Sequence, residues 1–252
     1  MIGVSESQLL EWLSPILWPF FRILAVFTAA PIFSSRAFPV RARIALAFFI
    51  AFSAQVSLGT QPVVDINGAG ALGAVLQQVG VGLAIGFAVR IVFSVFELAG
   101  QIVGFQMGLG FAAFFDPSTS AQSSAMGRFY ANMAALLFLA VNAHLIVLMA
   151  VIRSFEAFPV DQNFMQALQK MKLHTLGAEL FASALWIALP IIGMLMFANL
   201  ALGIVSRVAP QMNIFSVGFP VTLGVGLIGV AATLPMLDQP FMSLMERVLA
   251  IF

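Results

Sequence analysis

Between Arg128 and Arg153, between Glu179 and Arg207, and between Arg207 and Asp238, the chain runs 24, 27 and 30 residues without a charged side chain. Each run exceeds the ~20 apolar residues that cross a bilayer core. Inside lipid a backbone must satisfy its own hydrogen bonds, which leaves helices and closed barrels as the spanning folds. A barrel needs segments of about ten residues that alternate apolar and polar, and residues 72–99 and 181–205 show no such alternation. The sequence therefore predicts an all-α, polytopic hydrophobic helical membrane protein. Six hydrophobic stretches are legible, near 12–33, 44–58, 72–99, 129–152, 181–205 and 214–237. The second is short and the third is interrupted by Gly80, Gly82 and Gly86. Short or broken apolar helices are tolerated where protein or a water-filled cavity satisfies the freed backbone, so burial against partners is expected.

Composition agrees: 62% of the 252 residues are hydrophobic and 8% charged, against roughly a quarter charged in soluble domains. A formal net charge of +1 gathers neither nucleic acid nor acidic substrates. With no cysteine there is no disulfide, thiolate metal site or cysteine nucleophile. Glu6 and Glu11 stand where a secretory signal needs positive charge, so the first hydrophobic stretch is expected to stay in the mature protein. The basic cluster Arg36, Arg41 and Arg43 is expected on the cytoplasmic side, which puts both termini outside. In the connection 153–180, Phe164, Leu168 and Met171 beside Lys170 and Lys172 suggest a short amphipathic helix. That connection is also the expected boundary between two parts of the chain.

Few groups offer chemistry. The run from Gly224 to Gly229 fits GxGxxG, but it lies inside a hydrophobic stretch, without the strand or the acidic residue of a dinucleotide fingerprint. Small-residue helix packing is the expected reading. Gly82 and Gly86, and likewise Gly100, Gly104 and Gly108, fall on one helical face and predict close helix contact, within the chain or with another subunit. The intramembrane charges are Arg22, Arg90 and Glu97, expected to be structural or paired with a partner. Arg90 and Glu97 are about 10 Å apart along a helix, too far for one direct pair. Neither His144 nor His174 has a carboxylate at ligand spacing, and no Walker A loop occurs. No catalytic residue, metal or cofactor is expected.

Two segments stand apart. After Gly104, Phe105, Gln106, Met107 and Gly108 come Gly110, Phe111, Ala112, Ala113, Phe114, Phe115, Asp116 and Pro117, then a polar run from Ser118 to Ser124. Glycines loosen this segment and Asp116-Pro117 marks a turn. An apolar loop of this kind either closes a water-filled passage by dewetting it or fills a core with its phenylalanines. The second segment runs from Arg207 to Pro220 between the last two stretches. Pro210, Asn213, Gly218 and Pro220 are expected there as turn and breaker residues of a tight hairpin connection, beside Gln211. Met212, Ile214 and Phe215 are apolar groups that a free loop does not expose cheaply, so docking on another protein is expected.

On these two segments the chain resembles, over essentially its whole length, the FliR/SctT family of bacterial type III export-gate subunits. The resemblance implies one copy of this subunit in a conical complex with several copies of FliP and FliQ, beside FlhB and FlhA, in the inner membrane at the flagellar basal body. It implies that roughly 1–175 is FliP-like and 176–252 a FliQ-like helical hairpin. Phe111, Phe114 and Phe115 would plug a channel for unfolded flagellar proteins from inside. The helices would be lifted largely out of the bilayer and buried against sister subunits, with membrane lipid around the assembly. A small-solute secondary transporter is the alternative, suggested by broken helices and intramembrane charge; an intramembrane enzyme lacks any nucleophile–base pair at recognisable spacing.

Overall fold

A computed structural model describes residues 6–56, 58, 70–111, 124–160, 164–211 and 214–252. In chain order the helices among them are α1 (Glu6–Ala29), α2 (Val40–Ala54), α3 (Ala71–Gln106), α4 (Ala125–Ala140), α5 (Ala143–Ala157), α6 (Phe164–Lys170), α7 (Thr175–Val208), α8 (Ile214–Thr233) and α9 (Asp238–Leu249). The six hydrophobic stretches all form helix, and the chain is an all-α, multi-pass membrane protein with several long apolar helices. Ala71–Gln106, Phe164–Val208 and Ser216–Met236 are long and apolar enough to cross a membrane, and α4 with α5 forms a fourth, bent candidate. The apolar part of α1, Leu13–Ala29, is shorter, and α2 has 15 residues, about 22 Å at ~1.5 Å per residue.

Three local expectations are corrected. The third stretch is not interrupted: α3 is one helix of 36 residues, because its glycines face close neighbours instead of water. A Cβ at Gly82 would collide with the backbone carbonyl of Arg22, and one at Gly86 would stand 2.5 Å from the Cβ of Ala29. The fourth stretch is two helices bent by 72°. Asn142 between them takes a φ of 54°, a left-handed conformation that asparagine tolerates better than most residues. Lastly, Gly218 and Pro220 are not in a connection but inside α8. Proline within an apolar helix needs its neighbourhood to absorb the lost N–H, and Pro15, Pro19 and Pro190 recur inside α1 and α7.

The short amphipathic helix expected within 153–180 is present as α6. Hydrophobic runs did not announce α9. Phe241, Leu244, Met245, Val248 and Leu249 are its buried face, a helical spacing carried by a segment too polar to read as a span. Asp238 occupies its first turn and Arg247 its last, where each complements the helix dipole.

The chain divides into two compact units, one of Met1–Ile91, Asn142–Leu176 and Met245–Phe252, the other of Val92–Val141 and Gly177–Leu244. In the first, α2 lies against α1 through the alanine stripe Ala47, Ala51 and Ala54, and the turn between them stacks Phe27 on Phe33 at 4.4 Å. In the second, Phe96 and Phe138 are buried, with the ring of Phe241 5.5 Å from Phe96. Neither unit coincides with residues 1–175 or 176–252, whose expected likeness to FliP and FliQ is a matter of resemblance, not of contacts.

Candidate functional site

The glycine ladder at the end of α3 sets where the phenylalanine-rich segment begins. At Gly100 a Cβ would lie 2.5 Å from the carbonyl oxygen of Met126, and at Gly104 it would lie 3.2 Å from the Met126 side chain. Both neighbours belong to α4, so this close contact is made within the chain. Ser124 fixes the start of α4, its Oγ accepting from the N–H of Gly127 at 3.0 Å.

Beyond Gln106 the chain stays anchored for two residues. Met107 is fully buried, its N–H donating to the Val103 carbonyl at 2.9 Å. The hydroxyl of Thr222 in α8 lies 3.2 Å from the Met107 carbonyl, and as near to the Gly218 and Phe219 carbonyls of its own helix, which share its one proton. Gly108 then turns at a φ of +85°, which favours glycine. The ring of Phe105 lies 2.9 Å from where a Cβ of Gly110 would stand, and Leu109–Phe111 is a single 3-10 turn. Of the expected loop residues, Gly110 and the backbone of Phe111 are described, while Phe114, Phe115, Asp116 and Pro117 lie outside the described residues.

In the second segment, Pro210 and Gln211 form the turn after α7. Met212 and Asn213 lie outside the described residues. The backbone of Phe215 is in the first turn of α8; Gly218 is buried there and Pro220 is exposed. The GxGxxG run is wholly helical within α8. Gly226 accepts the side chain of Met107, and a Cβ at Gly229 would stand 2.7 Å from Met194 of α7. Small size serves helix packing at both.

The three intramembrane charges part company. Arg90 is exposed and Glu97 half-buried, with the Gln101 amide 3.5 Å from the Glu97 carboxylate. Arg22 is fully buried. Its Nε donates to Gln78 Oε1 at 2.9 Å, one terminal nitrogen to Ser154 Oγ at 2.9 Å and the other to the Phe158 carbonyl at 2.7 Å. The guanidinium carbon sits 3.6 Å from the centre of the Phe155 ring. Two further donors finish the end of α5: Lys170 Nζ to the Ala157 carbonyl at 2.8 Å and Gln77 Nε2 to the Pro159 carbonyl at 3.1 Å. The last carbonyl of α5 and the two that follow it are thus met by side chains from α6, α1 and α3. The negative end of a helix dipole supplies part of the compensation that a carboxylate would otherwise give. The sequence marked Arg22 but neither glutamine, because the partners stand 56 and more positions away.

Among the described residues no group of three or more His, Asp or Glu could hold a metal ion. What the described elements define is a multi-pass helical membrane protein whose buried polar side chains, Arg22 foremost, are engaged within the chain. The chain matches the bacterial export proteins, family 1, over residues 13–248. It is 37% identical to the flagellar biosynthetic protein FliR of Escherichia coli (strain K12) over 241 residues, 96% of this chain and 92% of that protein. It is 33% identical to the FliR of Bacillus subtilis (strain 168) over 225 residues, 88% and 86% of the two chains, and 29% identical to that of Aquifex aeolicus (strain VF5) over 227. The chain belongs to the FliR family of bacterial export proteins.

Proposed function

We propose that this chain is a structural and gating subunit of the flagellar type III protein-export channel, in the bacterial inner membrane at the basal body. One copy joins FliP and FliQ, beside FlhB and FlhA, and the Phe111, Phe114 and Phe115 loop seals the pore against ions until an unfolded flagellar protein passes. The observation that carries the reading is the family match over residues 13–248, supported by the composition of residues 110–117, whose glycine and phenylalanines are those of a dewetting seal.

The apolar faces left uncovered support the assembly. In the most apolar 18-residue windows of the long helices only 28% of residues are buried in Phe164–Val208 and 22% in Ser216–Met236, against 56% in Ala71–Gln106. On this reading residues 176–252 form the FliQ-like hairpin, residues 1–175 the FliP-like part, and Pro210, Gln211, Met212, Asn213, Phe215, Gly218 and Pro220 contribute to subunit contact. The transporter alternative loses its best candidate for a midplane site, since each nitrogen of Arg22 already has an acceptor within the chain. Purification of the tagged chain in mild detergent tests the assembly: co-elution with FliP and FliQ is expected, and a monodisperse, solute-binding monomer would contradict it.

A further inference from the structure

The outer side of α2 carries two chemistries. Ala47, Ala51 and Ala54 are its buried residues, and the larger side chains are left facing outward. Arg41, Ala45, Phe48 and Phe52 stand at i, i+4, i+7 and i+11, on one stripe, and all four are exposed. Phe49 beside them is 66% exposed. The stripe is basic at one end and aromatic at the other. Arg36 adds a third cation, exposed on the turn before α2. That turn is fixed by the Ser34 N–H donating to the Ala30 carbonyl at 2.9 Å and the Phe38 N–H to the Ser35 carbonyl at 3.1 Å. Arg43 is half-buried, its Nε enclosed without an acceptor among the described residues. No acidic residue occurs between Glu11 and Asp65. Pro39 at the N-cap of α2 gives no side-chain bond, so the positive end of the helix dipole adds to the arginines.

We propose that this side of α2 binds an anionic phospholipid, its phosphate at Arg36, Arg41 and Arg43 and an acyl chain along Phe48, Phe49 and Phe52. The site stands independently of the reading of the chain as a gate. Length selects a lipid over a free anion. Arg41 and Phe52 are eleven positions apart, ~16 Å along the helix, and the hydrocarbon of one leaflet is about 15 Å deep. Charge selects the headgroup: a zwitterionic lipid brings its own cation to a site that already has three, and an anionic lipid does not. Phosphate oxygens accept from the planar fork of a guanidinium, which suits arginine in all three places.

The full chain in a neutral detergent is titrated with dioctanoyl phosphatidylglycerol, dioctanoyl phosphatidylcholine or inorganic phosphate, and its thermal unfolding midpoint is read at each concentration. Phosphatidylglycerol is expected to raise the midpoint at concentrations where the other two leave it unchanged. Arg36→Gln, Arg41→Gln and Arg43→Gln together are expected to weaken that response on the order of 100-fold, about fivefold for each arginine. Phe49→Ser with Phe52→Ser is expected to weaken it as well, which attraction to an ion alone does not explain. Should the triple variant not fold, Arg41→Gln alone removes an exposed charge that the helix dipole disfavours, and is expected to weaken the response about fivefold. An equal response to both lipids, a full response to inorganic phosphate, or arginine variants that respond as the wild type does would overturn the site. Arginine variants that keep the lipid response but no longer co-elute with FliP and FliQ would overturn it too, and would assign the arginines to a sister subunit.

Discussion

Arg22 keeps a charge inside an apolar chain with only neutral partners among the described residues. Burial of a guanidinium is costly unless its donors are engaged, and here one amide, one hydroxyl and one main-chain carbonyl engage all three nitrogens. Removing the cation leaves three acceptors without their donor, and bonds to charged groups are worth more than neutral ones. Arg22→Leu is expected to cost on the order of 3 kcal/mol, a fall of roughly 6–12 °C in the apparent melting temperature of the detergent-purified chain. Arg22→Lys should recover only part, because one ammonium cannot replace a planar fork aimed in three directions. An unchanged melting temperature for both would remove the network from the account. A charge in the middle of an apolar run is plain in the sequence; its partners on α3 and α5 are not, since long-range pairing leaves no local pattern.

At the scale of elements, glycine has two meanings here, and sequence spacing does not separate them. Gly82 faces the main chain at Arg22, while Gly193 has nothing within 4 Å. Gly82→Ala should destabilise the isolated chain by about 1–3 kcal/mol, since backbone cannot step aside as a flexible side chain can. Gly193→Ala should stabilise it by up to ~1 kcal/mol, through helix propensity alone. Thermal unfolding of the two variants in detergent checks the contrast, and equal shifts would contradict it. The break at Asn142 gives a second test: Asn142→Ile, a β-branched residue forced to a φ near 54°, is expected to cost about 1–2 kcal/mol, and Asn142→Gly little. The helical class and the six apolar segments were legible because a long uncharged run permits so little else. The bend was not, because a single asparagine in an apolar run is a weak signal, and α9 was hidden because its apolar face is spread through polar residues.

For the whole molecule, the uneven covering of the apolar helices is the informative feature. The windows in α7 and α8 are mostly unburied, and Phe181, Trp186, Phe197 and Val208 are each more than 60% exposed along α7. Lipid and neighbouring subunits both satisfy such a surface, and the proposed function assigns much of it to FliP and FliQ. Expressed without them, the chain should be recovered at several-fold lower yield than on co-expression; equal yields would weaken the case for burial in a complex. The two segments that carry the resemblance were visible in the sequence before any fold was known. The tie between them was not: Met107 and Thr222 are 115 positions apart, and nothing in either segment names the other. The central claim is that this chain seals an export pore with the loop that follows the anchored Met107. It is tested most directly by the resting ion conductance of membranes carrying the assembled complex with residues 110–115 deleted. The account predicts a leak many times that of the intact complex; conductance at the intact level, with the complex still assembled, would contradict it.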